Sequence, residues 1–362
     1  MLNRLNERVD WGVAVPVLSL LVLAATWAGK PPALVLAIAA AFLIAAVLAA
    51  VHHAEVVAQR VGEPFGALIL AVAVTVIEVG LIVMLMVSSD ADTEALARDT
   101  VFAAVMVTCN GIIGLSLLIG SLKTHLAEFK AEGTAAALAT VITLATICLV
   151  LPQVTTSAPG PEFTSSQLVF AAIASLALYL LFVFVQTIRH REDFVPGENL
   201  DRDDEEGDAP GRSEAVWSLV LLLTALVAVV GLAKVESPAI EDVVDAIGAP
   251  QSAVGVLIAL LVLAPETLAA ARNARRDRVQ ISFNLGLGSA MASIGLTIPT
   301  MAVASIWLEG PLVLGLDSLQ IALLVITAIV SALTFLPGRA TLLQGGVHLI
   351  LFGTFLFFAL SP

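Results

Sequence analysis

Charge is scarce in this 362-residue chain. Only 13% of its residues are Asp, Glu, Lys or Arg, about half the share in a soluble domain. That scarcity excludes a disordered chain and a soluble enzyme. Basic residues are fewer still: 17 against 30 acids, a net charge of −13, which argues against a nucleic-acid binder. Cysteine occurs twice, at Cys109 and Cys148, each inside an apolar run, so a disulfide scaffold is excluded. What is abundant is apolar: 59% of the residues, with a mean hydropathy of +1.00. That excess needs a membrane.

A membrane-spanning helix takes about 20 mostly apolar residues. Eleven runs qualify, at 12–29, 32–52, 64–88, 99–121, 134–151, 168–188, 214–233, 251–271, 281–307, 318–336 and 341–360. None alternates with the two-residue period of a barrel strand. The sequence therefore predicts an all-α polytopic membrane protein of about 11 transmembrane helices, the first read as a retained span and not a cleaved leader.

Lys and Arg set the orientation. With the N-terminus inside, the inner segments hold Arg4, Arg8, Arg60, Lys123, Lys130, Arg189, Arg191, Arg202, Arg212, Arg272, Arg275, Arg276, Arg278 and Arg339. The outer ones hold only Lys30, Arg98 and Lys234. The expected location is the cell (inner) membrane, with the N-terminus cytoplasmic and the C-terminus outside. Trp11, Trp27, Trp217 and Trp307 fall at run ends, where amphipathic rings anchor.

Most acids lie in loops or at run ends. Two do not: Glu78, deep in the third run, and Glu266, deep in the eighth. A charged carboxylate at mid-bilayer costs about 2.5–3.5 kcal/mol on insertion scales, so such acids mark function by default. The two sit at matching depths in runs of opposite direction. Each is followed by a run of small and polar residues, Thr108-Cys-Asn-Gly-Ile-Ile-Gly-Leu-Ser116 and Gly286-Leu-Gly-Ser-Ala-Met-Ala-Ser-Ile-Gly295. This is the pattern of two inverted-topology five-helix repeats with a site at the midplane. The expected organisation is an N-terminal helix (1–30), a first repeat (31–188), an acidic cytoplasmic linker (189–213) and a second repeat (214–362).

The neighbours suit a cation. Thr75 shares a helix face with Glu78. Pro265 removes a backbone donor beside Glu266 and leaves a carbonyl one turn earlier to coordinate. Asn110, Ser289 and Ser293 offer further oxygens. Two carboxylates with such oxygens match a calcium shell of 6–8 ligands, and the same carboxylates take up protons. The spacings Gly288/Ala292 and Ser289/Ser293 also predict close helix packing.

At these residues the chain resembles the cation/calcium exchanger superfamily, and within it the bacterial ChaA-type calcium(sodium)/proton antiporters. The first repeat reads Ala54-Glu55-Val-Val-Ala-Gln-Arg-Val-Gly62-Glu-Pro-Phe-Gly66, then Glu78; the second reads Ala264-Pro265-Glu266, then Gly288-Ser289 and Pro299. The resemblance implies a sodium/calcium exchanger-like fold. It also implies Glu78 and Glu266 as the residues binding metal ion and proton, and a protein that is not an enzyme and needs no cofactor. Its partners would be the lipid bilayer, protons and a transported Ca2+, Na+ or K+. The family places Gly-Asn shortly before each glutamate; here those positions are Val74-Thr75 and Val262-Leu263, which leaves the cation open.

Glu55, after His52-His53, is expected in a short amphipathic helix at the cytoplasmic end of the second run, as a proton relay or vestibule acid or as a solvated one. His53 is either a proton relay or sensor there or an interfacial surface residue. Gln344 and His348 are expected to be satisfied by neighbouring helices. Residues 191–208 hold nine acids. They lack the Gly and Glu an EF-hand needs at positions six and twelve, and read as a solvated linker. The outer acids Asp90, Asp92, Glu94, Asp99, Glu236, Glu241, Asp242 and Asp245 are expected in loops at the mouth.

Overall fold

A computed structural model describes residues 11–27, 29, 31–62, 65–88, 93–195, 210–308 and 310–361. Each of the eleven apolar runs is helical. The first helices are α1 (Trp11–Thr26), α2 (Ala33–Val61) and α3 (Phe65–Ser88). Leu96–Met106 passes through a π turn at Val107–Ile112 into Ile113–Thr124, together α4. Ala131–Ala145 continues through a second π turn, Thr146–Val150, into Leu151–Val154, together α5. Ser165–Phe184 and the π turn Val185–Arg189 form α6. Then follow α7 (Arg212–Ile247), α8 (Ser252–Val262), α9 (Ala264–Arg275), α10 (Val279–Ala304), α11 (Ser318–Phe335) and α12 (Leu342–Leu360).

Among the described residues, nine helices are long and apolar enough to cross a membrane, and α8 with α9 makes a tenth, bent span. The described part of the first run, α1, has 16 residues, short of the ~20 a span needs. A helix satisfies all of its interior backbone within itself, so long apolar runs have no competing structure in lipid. All four tryptophans lie in the first or second turn of a helix or just beyond its end, and all are exposed. The cysteines Cys109 and Cys148 are buried and unbridged.

Three boundaries differ from those expected. No separate amphipathic helix follows the second run: α2 continues unbroken to Val61. The seventh run does not end near 233, and α7 extends to Ile247 with Pro238 inside it. Glu236, Glu241, Asp242 and Asp245 are therefore helical, and Glu236 is buried. Asp99 is not a loop acid either. It is buried at the start of α4, where Arg98 pairs with it at 2.8 Å and Gln320 Nε2 donates to it at 3.1 Å. Asp90, Asp92 and the acids from Glu198 to Asp208 lie outside the described residues.

The chain folds into two compact units, residues 1–91 with 203–243, and residues 92–202 with 244–362. In the first, Gly80 of α3 lies close against Val230 of α7, and Gly231 against Leu23 of α1. Lys234 sits over the Trp27 ring, 4.6 Å from its centroid. In the second, α10 packs against α6, α9, α5 and α4, and α8 packs along α4. Ala127–Glu128 pairs antiparallel with Arg339–Ala340, which ties the end of α4 to the α11–α12 turn. Phe129, Phe283 and Phe335 form a ring cluster, with centroids 4.9–6.0 Å apart. Gln167, Gln320 and Gln344 each accept from the N–H three residues earlier, capping α6, α11 and α12. Gln344 is thus a capping residue at the start of α12.

A β-carbon at Gly255 of α8 would lie 2.8–2.9 Å from the backbone of Asp99 and Thr100 on α4. Gly255→Val should lower stability by about 1–3 kcal/mol, the usual cost of overpacking. Gly353→Ala, where nothing lies within 4 Å, should change stability by no more than about 0.5–1 kcal/mol. Thermal unfolding in detergent separates the two.

Candidate functional site

Glu78 lies on α3 and is 3% exposed; Thr75, one turn earlier on the same face, is 5% exposed. Gly80 carries the contact with α7. Residues two apart on a helix point about 200° apart, so Glu78 sits on the side of α3 turned away from α7.

Glu266 is 7% exposed and owes its setting to a broken helix. Pro265 lacks an N–H and its ring clashes with the carbonyl four residues back. The chain leaves the helical ladder at Leu263 (φ −90°, ψ 2°) and restarts as α9, with Pro265 in the first turn and a bend of 50°. Glu266 thus stands in the first turn of a new helix, where free N–H groups and the helix dipole favour negative charge. At the break the Leu263 N–H donates to the Ala259 carbonyl at 2.9 Å, and Pro265 has no N–H to offer the Leu261 carbonyl. Thr267 bonds the Leu263 carbonyl through both its N–H (2.9 Å) and its hydroxyl (2.8 Å).

In the same unit, α9 packs on α10 and on α4 after the π turn. Ser293 of α10 is buried and Ser289 half-buried. The expected packing by Gly288 is not what brings α10 close to its neighbours. Gly286 meets Ile112 and faces the Thr108 carbonyl, and Gly295 meets Tyr179, whereas nothing lies within 4 Å of a β-carbon at Gly288. The Gly288 position of α10 borders open space.

Asn110 is fully buried in the π turn. Its Nδ2 donates to Thr327 Oγ1 (2.9 Å), and its Oδ1 lies 3.2 Å from His348 Nδ1. Both ends of the amide, expected to help hold a cation, are engaged within the helix bundle. His348 also contacts Thr334 Oγ1 at 3.2 Å through Nε2. The expectation of partners on neighbouring helices describes this residue; the identity of those partners carried no sequence signal.

At the end of α2, Glu55 is exposed. His53 is not a surface residue: it is buried, with Nε2 2.8 Å from the Gly12 carbonyl. The ring of its neighbour His52 meets Trp11. Among the described residues, no three or more His, Cys, Asp or Glu side chains gather as a metal would need. A cation held at Glu78 or Glu266 would draw its remaining ligands from hydroxyls, carbonyls and water.

Spanning helices that bury one glutamate in α3 and another beside the break before α9 are the build of a membrane transporter. Residues 32–188 and 217–361 match the sodium/calcium exchanger protein family, and the chain belongs to it. It is 42% identical over 355 residues to y4hA of Sinorhizobium fredii, provisionally described as an ionic transporter, covering 97% of this chain and 96% of that one. It is 33% identical over 346 residues to the sodium-potassium/proton antiporter ChaA of Escherichia coli K12, covering 94% and 93%. Native YfkE has a similar fold, with a TM-score of 0.73 at 17% identity over 97% of this chain and 99% of that one. The protein is thus a multi-pass cation exchanger of the sodium/calcium exchanger type.

The break should depend on Pro265. Pro265→Ala restores a backbone donor, and the α8–α9 bend should relax. Spin labels at Leu257 and Arg272, both exposed, should then move apart by about 2 Å, the gain from straightening two segments at 1.5 Å rise per residue. Paired-label distance measurements read this directly, and cation exchange should fall with it.

Proposed function

We propose that the protein is a proton-coupled cation antiporter that exports Ca2+ in exchange for H+ by alternating access, with Glu78 and Glu266 binding both cation and proton. The observation that carries this reading is the burial of both glutamates inside apolar helices. In lipid a charged carboxylate is costly, a cost that a bound proton or a bound cation relieves. A site that holds one or the other couples their movements. Thr75, Ser289 and Ser293 supply neutral oxygens, and the open space at Gly288 leaves room for ion and water beside α10. Asn110 serves this region by supporting α4, its side-chain amide being taken up by His348 and Thr327.

YfkE, a relative in fold, is described as a Ca2+/H+ antiporter. A second reading, antiport of Na+ or K+ alone, is favoured by the similarity to ChaA and by Val74-Thr75 and Val262-Leu263, where two side-chain amides would complete a divalent shell. A passive channel would use rings of carbonyls or acids, which single buried acids on α3 and α9 do not provide. The distribution of Lys and Arg supports an N-terminus in the cytoplasm and a C-terminus outside.

Everted vesicles holding a respiration-driven pH gradient should show dye dequenching on addition of the transported cation. Glu78→Gln and Glu266→Gln should each cut that rate by more than about 100-fold, beyond the 10–100-fold typical of supporting groups around a metal, because an amide cannot trade a proton for a cation. Apparent cation affinity in the wild type should rise with pH, as protons cease to compete. Calcium, sodium and potassium added in turn identify the cargo. No dequenching with any of them, in vesicles shown to contain the protein, overturns the reading.

A further inference from the structure

The π turn at Val107–Ile112 admits one extra residue into a helical turn, which misaligns local backbone donors and acceptors. Its Asn110 is met by two other helices. α12 approaches α4 through glycines on both sides. β-Carbons at Gly114 and Gly345 would lie about 3 Å from neighbouring atoms, His348 and Leu349 for the first and Leu118 and Gly114 for the second. That close crossing lets the His348 ring reach the turn. α11 presents Thr327, Ser331 and Thr334 along one face, all buried.

The hydrogen bonds between these groups have one consistent direction. Asn110 Nδ2 donates to Thr327 Oγ1 at 2.9 Å, and the Thr327 hydroxyl donates to Met106 Sδ at 3.7 Å. Asn110 Oδ1 can only accept, so His348 Nδ1, 3.2 Å away, carries the ring proton. His348 Nε2 then accepts from the Thr334 hydroxyl at 3.2 Å. The Phe335 ring lies nearly parallel to the imidazole, at 14° with 6.5 Å between centroids. Asn110, Thr327 and His348 are 0% exposed and Thr334 is 2% exposed, so these bonds are shielded from bulk water.

We infer that His348 is a positioning residue for cation exchange. Its Nδ1–H holds the Asn110 amide and with it the π turn, against which α9, carrying Glu266, and α10, carrying Ser289 and Ser293, are packed. His348 touches neither cation nor transported proton. It sets the backbone on which the ligand-bearing helices rest. The link from His348 to transport rests on the antiport reading above; the hydrogen bond to Asn110 does not.

Two measurements on the full-length protein test this. In the first, nitrogen-15 spectra of the labelled histidine rings, with His348 assigned by its loss in His348→Asn, report which ring nitrogen is protonated. Protonation at Nδ1, shifting toward Nε2 in Asn110→Ala, is expected. An Nε2-protonated ring indifferent to Asn110→Ala overturns the inference, whether or not the protein transports.

The second uses exchange kinetics. An asparagine amide takes the place of Nδ1 and a glutamine amide that of Nε2. His348→Asn should therefore keep the cation KM within about threefold of wild type, whereas His348→Gln should raise it about tenfold, the low end for a supporting partner. The pH profile should stay in place for both. Equal KM in the two variants, or a shifted pH profile in His348→Asn, overturns the positioning role. An absence of exchange in the wild type would instead sink the antiport reading, and the ring spectra would still decide the His348–Asn110 bond.

Discussion

Hydrocarbon offers no hydrogen bond. A polar group carried into the bilayer is stabilised by a partner within the protein, and several helix contacts of this chain serve that need. His53 meets the Gly12 carbonyl, Asp99 meets Arg98 and Gln320, and Asn110 meets Thr327 and His348. All but Arg98–Asp99 join residues distant in sequence, so satisfying them helps fix which helices lie side by side. Elsewhere in the spans, threonine and serine hydroxyls turn back onto carbonyls three or four residues earlier, as at Thr108, Ser121 and Thr146, and need no second helix.

Regular α-helix uses up its own backbone and has little left for a ligand. The departures from regularity therefore matter. The break before Pro265 gives Glu266 the start of a new helix, and the π turn at Val107–Ile112 is held by side chains from α11 and α12. Both lie in the compact unit that holds α9 and α10, and Gly114, Gly286 and Gly345 let neighbouring helices approach closely around the π turn. Rigid support of this kind suits a protein of the sodium/calcium exchanger family, whose ligands must hold a geometry while the ion passes.

Much was legible from residue pattern alone. The eleven apolar runs appear as helices because no other structure satisfies that much apolar backbone in lipid. The glutamates at positions 78 and 266 stand out because an acid amid twenty apolar residues has few innocent explanations. The missed features share one cause: each depends on a neighbour far along the chain. His53 read as an interfacial surface residue because its partner is 41 positions away. Gly288 read as a packing residue because small-residue spacing cannot say which of several glycines faces a helix; Gly286 and Gly295 do. The length of α7 was hidden by four acids and a proline, which a helix tolerates when it is supported.

The sequence by itself determined that this is a polytopic helical membrane protein, which runs become helices, and that Glu78 and Glu266 lie deep in two of them. Those facts follow from local hydrophobicity, a property each stretch carries with it. Only the tertiary structure decided that the eighth span breaks at Leu263, that Asn110 faces His348 and Thr327, and that Gly288 borders open space. Those facts are contacts between distant segments. They exist only once the helices have packed.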